Sequence, residues 1–216
     1  TYGTGAFLLM NTGEHIATER ASRAVVQIGS STVRLGPEAE VTFSRIDDEK
    51  IHLHLEHGPL ALRVRSSDVL REIAVETDEG VFSAQQPGYF HFDRVAGQPL
   101  KVQVWSGALS LDSHDSSLPL SAGQSAQVWQ ETEQRTTHYR MTPFARDSFA
   151  EWALADDQAE DGYAAAISSA KLPILSEMTG ATDLSRYGRW SSSVEYGTRW
   201  YPRRVTPGWA PYRDGF

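Results

Sequence analysis

The chain has 216 residues, 28 acidic against 20 basic, and a formal net charge of -8, which argues against a surface built to neutralise phosphate or to coat an anionic membrane. It contains no cysteine, which removes disulfides and thiolate zinc sites and leaves the redox compartment unread. No apolar run approaches the roughly 20 residues that cross a bilayer, so neither an integral membrane segment nor a nucleic-acid partner is expected.

From the N-terminal side, apolar and polar residues alternate in ten short runs: 24–28, 31–35, 40–43, 50–55, 60–64, 73–77, 89–92, 100–105, 108–111 and 125–129. A period of two marks half-buried strands, and ten runs at close spacing predict a mainly β domain, an antiparallel sandwich or roll. Gly36-Pro37, Gly58-Pro59, Pro87-Gly88 and Gly123 fall between runs, where turns need positive φ or a fixed proline φ. Gly36, Gly58 and Gly80 are 22 residues apart; two intervals do not make a repeat, and a sheet meander accounts for them.

Within these runs, His52, His54 and Glu56 share one face of a strand, and imidazoles at such spacing can hold zinc. Ile51, Leu53 and Leu55 supply the buried face, however, so a solvated strand face is the preferred reading. Asp47-Asp48-Glu49 and Asp112-Ser113-His114-Asp115 read as turn loops whose polar side chains cap their own backbone. The former lacks the glycine and spaced oxygens of a calcium loop. There is no Gly-x-Ser-x-Gly elbow, and an acid pair such as Asp183 and Glu195 is common in any acidic chain. No catalytic residue, metal or cofactor is therefore expected, and the chain does not read as an enzyme.

From Thr142 the texture turns helical. Pro143 suits a first turn, Ser148 with Glu151 forms a capping box, and Phe149, Trp152 and Leu154 offer an apolar edge. Asp156, Asp157, Glu160 and Asp161 form a solvated acidic face. One or two helices are expected within 142–171, interrupted near Gly162.

The C-terminal segment places Trp190, Trp200 and Trp209 among Tyr187, Tyr196, Tyr201 and Tyr212, broken by glycine and proline. Such a segment has no aliphatic core and must gain stability from its rings, each removing roughly 150–250 Å² from water. The rings either staple the tail to itself and to the sheet, or stay partly exposed as a platform for a glycan or a proline-rich peptide.

Residues 13–130 resemble a FecR-type domain, the family named for the ferric-citrate regulator. The resemblance rests on the order of Gly36-Pro37, Gly58 with Leu60, Thr77, Val102 to Gly107, and Leu120 to Gln124. The tail resembles a domain of unknown function that follows FecR-like domains in some bacterial secreted proteins. It matches at Gly180, Asp183-Leu184, Tyr187-Gly188, Trp190, Tyr196-Gly197, Trp200, Pro202, Gly208 to Tyr212 and Gly215, with Ala181-Thr182 in place of the usual Tyr-Glu. FecR proteins join a cytoplasmic segment acting on a sigma factor, a membrane span and a periplasmic sensing domain. The resemblance implies the last of these here, in a mature chain with an incomplete tail.

The expected organisation is thus a FecR-like β domain (1–141), a helical connector (142–171) and an aromatic tail (172–216) wrapped on the β domain. The expected role is a non-catalytic interaction, scaffold or sensor module in the periplasm or secreted, with an envelope protein as partner. The alternative is a cell-wall or polysaccharide-binding module that uses the tail aromatics. Arginine beside exposed rings can grip a carboxylate or a ring face. Candidate binding residues are therefore Arg203, Arg204, Trp209 and Tyr212, with Trp190, Tyr196 and Trp200.

Overall fold

The computed structural model describes residues 10–131, 136–169, 184, 187–193, 195 and 197–203. The chain divides into two compact units, Leu8–Ala153 and one that includes everything from Leu154 on.

The described residues of the first unit form eleven strands: β1 (His15–Ala17), β2 (Ala24–Ile28), β3 (Ser31–Leu35), β4 (Glu40–Ile46), β5 (Ile51–Val64), β6 (Ile73–Thr77), β7 (Gly80–Arg94), β8 (Leu100–Asp112), β9 (Ser117–Ser121), β10 (Ser125–Glu131) and β11 (Thr136–Thr142). Three of them are far longer than their neighbours: β5, β7 and β8, with 14, 15 and 13 residues. Each changes partners partway along. The second half of β5 pairs with β3 and with the second half of β7, which pairs with the first half of β8, followed by β10 and β11. The first half of β5 pairs with β4 and β6, and the other halves of β7 and β8 continue that set to β9. The result is two strand sets, β2-β3-β5-β7-β8-β10-β11 and β1-β4-β5-β6-β7-β8-β9, joined by three strands common to both.

Residue parity explains how one strand serves both sets. In β5 the buried apolar residues are Leu53 and Leu55 before the bend and Leu60, Leu62 and Val64 after it. In β8 they shift from Val102 and Val104 to Leu109 and Leu111. This one-residue slip keeps both halves facing a single core, and a bulge-like residue must absorb it. Gly58 at φ 79° and Gly107 at φ 77° occupy those points, in the left-handed region that glycine enters without cost. The runs 50–55 and 60–64, expected as separate strands around a Gly-Pro turn, are therefore one bent strand, as are 100–105 and 108–111.

The fold is mainly β, as expected, and its pairings are antiparallel apart from β5–β6 among the described strands. That parallel pair aligns Ile51 with Ile73 and His54 with Glu76. Residues 55–72 between them run through the other strand set and a 3-10 turn, Ser67–Val69, supplying the crossover that a parallel pair requires. The common core gathers Phe43, Leu53, Leu62, Phe82, Phe90, Phe92, Val102, Leu111 and Val128, all at most 2% exposed.

Helix α1 (Ser148–Ser169) runs through Gly162 without a break. Its cap lies one residue before the predicted capping box: the Asp147 Oδ1 accepts the Ala150 N–H at 2.8 Å. The first turn covers the outer face of the first strand set, where Phe149, Ala150 and Ala153 are buried with Tyr89, His91 and Trp105. Tyr89 Oη donates to the Ala153 carbonyl at 3.0 Å and Gln103 Nε2 to the Ala145 carbonyl at 2.8 Å. Among the described residues no helix is long and apolar enough to cross a membrane.

Candidate functional site

In the second unit, Gly188–Ser193 (β12) and Gly197–Pro202 (β13) form an antiparallel hairpin. Its register sets Gly188 opposite Pro202, Arg189 opposite Tyr201, Trp190 opposite Trp200 and Ser191 opposite Arg199. Because side chains alternate, one face carries the two half-buried indoles. Gly188 lets the strand close onto one of them: a Cβ there would lie 2.3 Å from the Trp200 ring. The Trp200 Nε1–H donates to the Leu184 carbonyl at 2.8 Å, which fixes that ring. The Arg203 N–H donates to the Tyr187 carbonyl at 2.8 Å and extends the pairing past the strand end.

The opposite face is exposed and carries the hairpin's arginines beside Ser191 and Ser193. Arg189, Arg199, Tyr201 and Arg203 fall on it by alternation, and all are exposed. The Arg189 guanidinium sits 5.8 Å from the Tyr201 ring centroid, within the range of a cation–π contact. Tyr187 and Tyr201 are 59% and 42% exposed. In a chain of net charge -8, three arginines beside open rings form a surface suited to an anionic partner group.

Of the predicted site residues, Trp190 and Trp200 are cross-strand partners in register and Arg203 stands at the end of the same hairpin. Tyr196, Arg204, Trp209 and Tyr212 lie outside the described residues. Arg189 joins the surface without having been singled out. Its signal in the sequence was the position beside Gly188 and Trp190, but recognising it needs the register that puts it across from Tyr201.

The histidine-bearing face of β5 is organised differently. His52 Nδ1 lies 2.6 Å from Glu76 Oε1, and Ser44 Oγ donates to Glu76 Oε2 at 2.7 Å. The acid therefore stands between hydroxyl and imidazole, and His52 is not placed to take a proton from Ser44. Burial pushes the Glu76 carboxyl up, but the hydrogen bonds from Ser44 and His52 and the nearby His52 and His54 charges outweigh it and hold it below its ordinary value. Glu56 accepts instead from Thr42 Oγ1 at 2.5 Å, and no three metal-ligating side chains converge among the described residues. The two acidic loops are turns: Asp47 Oδ1 accepts the Glu49 and Lys50 N–H groups, and Ser113 Oγ accepts that of Ser116.

No family model matches this sequence, and no curated protein matches it. Two crystal structures of a candidate anti-sigma factor from Parabacteroides distasonis are similar, each at 12% identity with a TM-score of 0.48. The match covers 60% of this chain and 60% of that one.

Proposed function

We propose that the chain is a non-catalytic protein-interaction module of the FecR type, acting in the bacterial envelope, and that the arginine–tyrosine face of the β12–β13 hairpin is its recognition surface. The observation that carries this reading is the alignment of Arg189, Arg199, Tyr201 and Arg203 on one exposed face. Arginine forks bind carboxylates in pairs of hydrogen bonds, and an adjacent ring adds apolar contact at little entropic cost. The partner is thus an envelope protein presenting an acidic patch. Among the described residues, the polar cluster Ser44–Glu76–His52 fastens strand to strand, which supports a scaffold role over a catalytic one.

A glycan reading draws on the open Tyr187 and Tyr201 rings, which a sugar face could cover. Binding of envelope extract and of cell-wall fragments to the full chain, compared with an Arg189→Glu, Arg203→Glu double variant, separates the two. Protein capture lost on charge reversal supports the proposal. Wall-fragment binding that survives charge reversal but falls with Tyr201→Ala favours the glycan, and capture unaffected by either change rejects the hairpin as the surface.

A further inference from the structure

A β-sandwich must keep its edges from pairing with other chains, and it does so with short strands, proline, bulges or charge. Among the described residues, four strands of the first unit stand at edges: β2 and β11 in one set, β1 and β9 in the other. β1 has 3 residues, and β9 carries Pro119, which removes a donor. β2 has 5 residues and one exposed large apolar side chain, Val25. β11 lacks three of these protections: it runs for 7 residues without proline and pairs with β10 without a register shift, and its one full charge is Arg140.

The open side of β11 can be read from one hydrogen bond. The Thr137 N–H donates to both carboxylate oxygens of Asp115 at 3.2 Å, so it points away from β10. Alternation turns the N–H and C=O of Tyr139 and Met141 the same way, and among the described residues no strand pairs with them there. Their side chains lie across from Val128 and Ala126, both 0% exposed, yet are themselves 50% and 46% exposed. The core row thus continues onto an uncovered strand. On the other face Arg140 donates to the neutral Gln127 Oε1 at 2.5 Å, and Lys101 is the next residue in that row.

We infer that β11 is a docking edge for an extended strand of a partner protein, with apolar residues opposite Tyr139 and Met141 and an acidic residue opposite Arg140. Backbone hydrogen bonds from an added strand supply affinity, and alternate side chains supply selectivity. A second copy of the chain fits less well. In an antiparallel twofold centred on Tyr139, Arg140 would face His138; centred on Arg140, it would face itself. Facing itself, Arg140 meets a like charge directly opposite, which is unfavourable, and His138 offers it no anion, whereas an acidic partner residue completes the row. This inference concerns a different strand from the hairpin and does not rest on the proposed function.

The test uses the full chain and a labelled, acetylated peptide alternating valine and glutamate, read by fluorescence anisotropy and by amide exchange. Saturable binding with slowed exchange at Tyr139 and Met141 is expected. Met141→Pro removes an outward N–H that β10 does not use and should weaken binding roughly tenfold or more with the unfolding midpoint retained. Should the proline variant lose its fold, Arg140→Glu decides: it should release this peptide and bind one alternating valine and lysine. The inference is overturned by absence of saturable binding, by equal binding to both variants, or by a concentration-dependent dimer that protects the same amides.

Discussion

Gly88 and Gly107 meet at the corner where β7 and β8 pass from one strand set to the other, and neither has room for a methyl group. A Cβ on Gly107 would lie 2.4 Å from the Pro87 carbonyl oxygen, and one on Gly88 would lie 2.2 Å from that of Ser106. Gly107→Ala adds this clash to the strain of a positive φ and should cost about 1–3 kcal/mol or somewhat more. Gly123 has φ 80° but open space around it, so Gly123→Ala isolates the backbone cost. Urea unfolding of the two variants should show the larger loss at Gly107; equal losses would remove the close approach from the account.

The Glu79 carboxylate, 4% exposed, is bonded by Arg94 at the far end of β7. Removing one partner of a buried pair leaves the other charge uncompensated, so Arg94→Met should destabilise the chain by about 3–5 kcal/mol. Arg94→Met combined with Glu79→Leu should recover much of that loss, because neither charge is then stranded. A double variant no more stable than Arg94→Met alone would show that the pair is not coupled.

His91 is fully buried beneath Phe149 and Trp105, with Nδ1 3.2 Å from Gln103 Oε1. Burial drives its pKa below the ordinary 6.5, and the attraction of Asp147 and Asp93 does not restore it. The folded chain therefore holds fewer protons at this ring than the unfolded chain below pH 6.5. Stability is unaffected by this group above that value and falls as pH drops through it toward the lowered folded value. His91→Gln should flatten the slope of unfolding free energy between about pH 7 and pH 5, and a slope identical to wild type would assign the dependence to another group.

Gly188→Ala should expel the Trp200 indole from its seat against the β12 backbone. The expected cost is about 1–3 kcal/mol within the hairpin unit. Faster exchange of the Trp200 indole N–H, now freed from the Leu184 carbonyl, is the direct readout. An unchanged indole signal would mean that the strand yields instead of the ring.

Asp147→Ala removes the observed helix cap and should cost about 1 kcal/mol, while Ser148→Ala should cost far less. Thermal unfolding of both variants decides which residue caps the helix.

Period-two alternation revealed most of the β domain because one face of each strand meets one core. It failed at Gly58 and Gly107, where the buried parity slips and a single strand looks like two runs separated by a turn. β11 was missed because its inner-face residues, Tyr139 and Met141, stay wet, so the segment carries no apolar alternation beyond those two side chains. The cap was misplaced by one residue because Asp147 and Ser148 are both good caps in sequence, and only the direction of the Ala150 N–H separates them. Trp190 and Trp200 were legible as a repeated Tyr-Gly/Trp pattern. The cationic face opposite them depends on cross-strand register, which composition does not encode.

The three strands common to both sets also set how the domain can come apart. In a sandwich of separate sheets, the layers can slide over one another or separate by losing only side-chain contacts. Here any such movement would have to bend or peel β5, β7 and β8, whose halves are linked by peptide bonds. The first unit should therefore open from its periphery, at β1, β2, β9 and β11, while its middle yields all at once, giving native-state hydrogen exchange with one deep, indivisible centre.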